Sequence, residues 1–332
     1  MNKRHALARL LDATGLLGLP DRLAKRPRLI AFNYHRIGSL PDNPYDPGLW
    51  SADADNFRFQ VDFLKRHFDV ISPTQLPDIA RAPRGRYALI TFDDGYIDNY
   101  RCAFPILRDA AVPATFFVAT GYIDAPSVPW WDEIAWMTAT SPQRELRLPD
   151  VAADTLSLDP AHRQRSLDRL LTHYKALPGA ATAAFLDTLA TASGVGRHPP
   201  VDAGAFWMNW SQLREMQQAG MCIAGHTVHH PVLSSLPRAE QAAEIHGCQA
   251  RLHAELGQAP HVFSYPVGGR RAFNADTRAC LTEAGIDFAF SYYGGHVDFS
   301  HWDHHDTPRV AIEPYIDRHW FRAIARLPEV FA

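Results

Sequence analysis

Short apolar runs alternate with longer amphipathic stretches along almost the whole chain, and this alternation limits the folds open to it. The runs are Leu29–His35, Tyr87–Phe92, Ala114–Ala119, Met221–Ala224, His261–Tyr265, Asp287–Ser291 and Arg309–Ile312. Nearly all are mainly apolar along their length, as strands covered on both faces are. Helical patterns lie between them near Phe57–His67, Tyr100–Ala110, Trp210–Ala219, Arg238–Leu256 and Asn274–Ala284. Strand and helix in alternation predict a parallel α/β sheet or barrel, whose chemistry sits at the carboxyl ends of the strands.

From about Ile123 to Ala205 the rhythm breaks. No strand pattern shows there, while Trp130, Trp131 and Trp136 cluster and a helical stretch covers Ala161–Ala192. The expectation is an inserted helical subdomain or lid. The chain then divides into an N-terminal segment (1–27), a core of 28–122 and 206–332, and an insertion (123–205).

The 332 residues are enough for a sizeable core. A net charge of -3 gives no basic field for nucleic acid. Cys102, Cys222, Cys248 and Cys280 form no CxxC pair and read as reduced thiols. No run reaches the roughly 20 apolar residues of a membrane span. Lys3, Arg4 and Arg9 open the chain as a signal peptide would, but Asp12 interrupts the apolar stretch and no convincing cleavage site follows. Leu7, Leu10, Leu11, Leu16 and Leu17 instead suit one side of a short amphipathic helix, packed on the body or touching a membrane surface. The expected location is the cytoplasm or the periphery of the inner membrane.

Two motifs carry chemistry. Ile90-Thr91-Phe92-Asp93-Asp94-Gly95 ends an apolar run in two carboxylates and a glycine able to turn the chain. Two adjacent carboxylates resist joint ionisation, so a cation or a division of labour is expected; an ordinary Asp-Asp-Gly turn is the alternative. Gly225-His226-Thr227-Val228-His229-His230-Pro231 follows another run. One helical turn would put His226 and His230 on one face. Two histidines and a carboxylate, with positions left for water, make a catalytic rather than a structural metal site.

TFDDG followed by H-T-x-x-H-P resembles the polysaccharide deacetylases of carbohydrate esterase family 4, the NodB-homology domain, over roughly Arg28–Pro314. The resemblance implies a distorted (β/α)7 barrel and one divalent metal, zinc first, with cobalt or nickel as alternatives. It implies Asp94, His226 and His230 as ligands and Asp93 as general base. A third family motif, close to R-x-P-x-G, reads Ser264-Tyr265-Pro266-Val267-Gly268 here. By that match the Tyr265 backbone N–H helps form the oxyanion hole, and Ser264 stands where the family has an arginine. Arg309, opening the last run, is the candidate replacement; a surface salt bridge is its other reading. The family's C-terminal histidine has no clean match, since His301, His304 and His305 lie in polar, loop-like sequence. His35 ends the first run and resembles the general acid of exopolysaccharide-processing members; a core or capping histidine is its plainer reading. Trp131 is the candidate for stacking on a sugar ring.

The expected activity is hydrolysis of an N-acetyl or similar small acyl group from an amino sugar in a polysaccharide or lipid-linked glycan. The alternatives are a deformylase or deacetylase of a lipid-linked monosaccharide, and an inactive glycan-binding homologue.

Overall fold

The computed structural model describes residues 3–18, 27–39, 44–197 and 202–332. Seven parallel strands form its centre: β1 (Arg28–Tyr34), β2 (Arg86–Phe92), β3 (Thr115–Val118), β4 (Cys222–Gly225), β5 (Val262–Ser264), β6 (Phe288–Phe290) and β7 (Arg309–Ala311). Their order in the sheet is β6-β5-β4-β3-β2-β1-β7. Phe32 of β1 pairs with Ile90 on one side and Val310 on the other. A single parallel bridge, Phe290 to Thr307, brings β6 back toward β7 and nearly closes the barrel. A two-residue strand at Asp69–Val70, which the apolar pattern does not signal, flanks β2 before β3 begins.

Strand alternation sorts the side chains into two layers. Ile30, Phe32 and Tyr34 face outward and pack with Phe57 and Phe321 from the surrounding helices. Leu29 and Ala31 face inward, with Leu89, Phe117, Val262 and Phe290. The same inward parity continues to Asn33 and His35, to Thr91 and Asp93, to His226, to Ser264 and to Arg309. The barrel interior is therefore apolar in its lower part and polar at the carboxyl ends of its strands.

The segment after β3 contributes helices Trp130–Thr140, Arg163–Ala176 and Gly179–Ser193. It also holds one antiparallel pair, Glu145–Leu146 with Leu156–Ser157, where no strand was expected. Two residues per strand are too short to show an alternation. Leu146, Leu170 and Leu189 join the same cluster as the barrel's outer layer, so this segment has no separate core.

Helix Lys3–Ala13 lies against helix Arg318–Arg326. Asp12, the residue that breaks the apolar stretch, accepts from His319 at 2.6 Å and Arg322 at 2.8 Å. The leucine stripe is divided: Leu17 is buried, while Leu7, Leu10 and Leu16 are exposed. Among the described residues no helix is long and apolar enough to cross a membrane. Residues 1–2 and 19–26 of the N-terminal segment lie outside the described residues.

Candidate active site

At the end of β2 the chain turns sharply. Asp94 adopts φ 76° and Gly95 φ 100°, and the Gly95 N–H reaches back to the Asp93 carbonyl at 3.0 Å. Left-handed backbone is unfavourable for an Asp and is sustained by its surroundings. The turn aims both carboxylates into one cavity of about 230 Å³, which His35, Trp131, His226, His230 and Tyr292 also line. A larger cavity of about 710 Å³ opens at the amino-terminal ends of the strands, beside Met221, Val262 and Asp287. The carboxylates are at the other end, so the chemistry belongs to the smaller cavity.

Arg309 and Asp93 meet inside the barrel. Nη1 donates to Asp93 Oδ1 and Nη2 to Oδ2, each at 2.8 Å. Arg309 has no solvent exposure, and its remaining donors are satisfied. Nη2 reaches the Ser264 hydroxyl at 2.8 Å, Nη1 the Asn33 side-chain Oδ1 at 2.6 Å, and Nε the Ser291 backbone carbonyl at 3.0 Å. The small Ser264 leaves room for this guanidinium and accepts from it. Asn33 also donates to Asp93 Oδ2 at 3.2 Å. Burial pushes the Asp93 carboxyl up, but Arg309 first, and then His226, outweigh it and hold it well below the usual carboxylate range.

Asp94, His226 and His230 bring one ligand atom each to within 4.8 Å of one another. His226 Nε2 is 3.5 Å and His230 Nε2 3.3 Å from Asp94 Oδ1. Ligand atoms about 2.0–2.1 Å from a tetrahedral ion would lie roughly 3.3–3.4 Å apart. Asp94 Oδ1 is buried without a hydrogen-bond partner among the described residues, which suits a cation. His226 Nδ1 meets the Ser264 carbonyl at 2.8 Å. A carbonyl only accepts, so Nδ1 carries a proton and Nε2 is the atom turned toward Asp94. Burial pushes His230 down to about 3, so its imidazole is neutral. The donor set thus fits a divalent metal.

The histidine pair does not lie on a helical turn. Thr227 and His230 have φ of 66° and 57°, and the loop is tied by Glu244, which accepts from the Val228 and His229 N–H groups at 2.9 and 2.8 Å. The rings still converge, with centroids 4.7 Å apart. Glu244 comes from the next helix, so spacing within the motif could not reveal this geometry.

Two sequence expectations move. The Tyr265 N–H donates to the Phe290 carbonyl at 3.1 Å, because β5 and β6 pair there, and so it is not directed at a substrate. The Tyr265 ring stacks on Phe273, and its hydroxyl donates to the His305 carbonyl. Val267 lines the cavity instead. It sits at φ 64° in a tight turn closed by Gly268 N–H to the Pro266 carbonyl at 2.7 Å. Among the described residues nothing accepts from the Val267 N–H. Trp131 does line the cavity but is only 5% exposed. Its ring packs 4.5 Å from His230, and its N–H goes to the Tyr96 hydroxyl at 2.7 Å. It buttresses His230 rather than offering a free stacking face.

His35 lies at the cavity wall, its ring edge-on to Tyr292 at 5.5 Å. His304 packs on Phe288 and Trp302, and His305 Nε2 lies 2.9 Å from the Ile286 carbonyl, both near the start of β6. Neither lines the cavity. Asn33 and Tyr292 are members of the site that motif reading missed. A lone Asn in the otherwise apolar run of β1 was the available signal for the first.

A family model described as polysaccharide deacetylase matches residues 80–144 and 164–289, more than half of the chain. An uncharacterized protein of Streptomyces coelicolor is 28% identical over 112 residues, 32% of this chain and 44% of that protein. The match therefore spans less than half the length of that curated relative. The Streptococcus pyogenes deacetylase PplD, in complex with acetate, is similar with a TM-score of 0.58 at 18% identity, covering 88% of this chain and 96% of that one. IcaB from Ammonifex degensii gives 0.55 at 20% identity, covering 91% and 97%. At these identities the solved structures show the shared fold: a distorted (β/α)7 barrel.

Proposed function

Because the chain belongs to the polysaccharide deacetylase family, we propose that it hydrolyses an N-acetyl or similar small N-acyl group on an amino sugar of a polysaccharide or lipid-linked glycan. The observation that carries this reading is the Arg309-bound Asp93 carboxylate beside the Asp94, His226 and His230 donors in one cavity. We take residues 28–122 and 206–332 as the barrel and 123–205 as its insertion.

Asp94, His226 and His230 would hold one divalent ion, zinc by the nature of the donors, with cobalt or nickel as alternatives. Such an ion supplies Lewis acidity that lowers the pKa of a water from about 15.7 toward about 7, which lets a weakly basic carboxylate accept its proton. Asp93 takes that proton as the water oxygen bonds to the acyl carbon. Arg309 and Asn33 fix the carboxylate's orientation. The Val267 N–H donates to the developing oxyanion in this reading, and one such donor lowers a barrier by roughly 2.7–4 kcal/mol. His35 gives a proton to the leaving nitrogen as the C–N bond breaks, a role typically contributing about 10²–10⁴-fold. The products are the carboxylate and the free amino sugar.

The exposed Leu7, Leu10 and Leu16 on the N-terminal segment favour a peripheral membrane contact, and with it a lipid-linked substrate at the inner membrane face.

Acetate release from an N-acetylglucosamine oligosaccharide and from a lipid-linked N-acetylhexosamine tests the reading and separates its two substrates. Asp93→Asn should retain the metal and lose hydrolysis. Near-wild-type turnover in that variant would show that another base operates. Stoichiometric zinc with no acyl release from any glycan would instead indicate a binding protein.

A further inference from the structure

The chemistry proposed above uses one side of the cavity. The other side comes from the insertion. Helix Arg163–Ala176 turns Gln164, Asp168, Leu171 and Lys175 toward it. These residues are spaced four, three and four apart, which is a single helical face. The Gln164 amide donates to Asp168 at 2.9 Å. Lys175 stands in the fields of Asp168 and Asp46, and Asp46 lines the cavity as well.

A second part of the insertion fixes Asp46. Asp132, on helix Trp130–Thr140, is completely buried. One of its oxygens accepts the Asp46 backbone N–H at 2.9 Å and the other the Tyr96 hydroxyl at 3.1 Å. The Tyr96 hydroxyl accepts in turn from Trp131, the residue packed against His230. A carboxylate buried in this way is costly unless it is bonded, and here its bonds tie the rim of the cavity to its floor.

We propose that the insertion is the substrate-recognition element of this site: Asp168, Lys175 and Asp46 hold the hydroxyl groups of a neutral N-acylhexosamine, and Asp132 positions Asp46. The inference rests on the deacylase reading. Sugar hydroxyls both donate and accept; the two carboxylates accept from them, and the ammonium donates. On this rim Asp46 and Asp168 outnumber Lys175, so a ring bearing its own carboxylate or phosphate is disfavoured. The volume, about 230 Å³, is below the roughly 300 Å³ at which ligand pockets usually begin, so one sugar ring enters at a time.

The test compares two substrates with the full-length, zinc-loaded protein. One is the β-1,4-linked N-acetylglucosamine pentasaccharide; the other is 4-nitrophenyl acetate, which carries the acyl group without a sugar. For Asp168→Asn and Lys175→Met, kcat/KM on the pentasaccharide relative to the aryl acetate should fall at least about tenfold, mainly through KM, as expected when a hydrogen bond to a charged group is lost. Asp132→Ala should show the same rise in KM. Asp132→Asn should reverse most of it, since its amide oxygen still accepts the Asp46 N–H. A ratio within twofold of wild type in both rim variants overturns the proposal, and so does a wild type that hydrolyses the aryl acetate but neither the pentasaccharide nor a lipid-linked N-acetylhexosamine. A wild type that hydrolyses neither, and releases no acetate from a lipid-linked N-acetylhexosamine, overturns the deacylase reading itself.

Discussion

The Arg309 guanidinium and the Asp93 carboxylate, 216 residues apart in sequence, face each other through two hydrogen bonds of 2.8 Å inside the barrel. Arg309 also donates to the hydroxyl of Ser264, where the family motif has its arginine. The cation is thus delivered from β7 instead of β5. Arg309→Met leaves a buried carboxylate uncompensated, a change of about 3–5 kcal/mol in stability. Arg309→Lys should restore little activity, because an ammonium cannot make the paired contact. The exchange Arg309→Ser with Ser264→Arg should recover part of both. Thermal melts and turnover of the four proteins check this; a fully active Arg309→Met would remove the orienting role.

Removal of His226 or His230 leaves two of three proposed metal ligands. His226→Ala and His230→Ala should each bind well under half the metal of the wild type and lose most turnover. Chelation should inactivate the wild type, and zinc should restore it. Unchanged metal content in both variants, by elemental analysis, would place the ion elsewhere.

The Val267 turn depends on Gly268. A Cβ there would lie 2.6 Å from Tyr292 Cβ and 2.9 Å from its backbone nitrogen, and the residue has φ +63°. Gly268→Ala should therefore displace the Val267 N–H and lower kcat by about 10²–10³, with metal content retained. Undiminished kcat would show that another donor meets the oxyanion.

His35→Ala should lower turnover by at least about tenfold and by up to about 10⁴, with the metal still bound. His304→Ala and His305→Ala should change it little, since both side chains sit beside the start of β6. The reverse pattern would transfer the acid role to the C-terminal histidines.

Burial pushes the Asp132 carboxyl up to about 7, against the bond from the Asp46 N–H and the charge of Arg36. A folded-state pKa raised above the unfolded value near 3.9 gives stability that is full below about pH 4 and lost as pH rises through about 7. Asp132→Asn does not ionise. Its melting temperature relative to wild type should therefore be higher at pH 8 than at pH 5. An offset that does not vary with pH would show that Asp132 ionises freely in the folded protein.

The sequence by itself determined the seven strands, their parallel arrangement and the end at which chemistry would lie. Each strand is a short apolar run, and alternation within a run is a local property. It also determined that Asp93, Asp94, His226 and His230 follow two such runs, since a motif of six or seven residues places its own members. The tertiary structure decided everything that depends on which strand lies beside which. Arg309 points inward because of the register of β7 against β1. The Tyr265 N–H is taken by the Phe290 carbonyl because β6 pairs with β5 just there, and Val267 of the neighbouring turn lines the cavity instead. The imidazoles converge through a loop held by Glu244, not through a helical turn. The helical periodicity of Ala161–Ala192 was legible, but not that Gln164, Asp168 and Lys175 would face Asp93. The face a helix turns toward a site is set by what it packs against, here helix Trp130–Thr140 from an earlier part of the insertion.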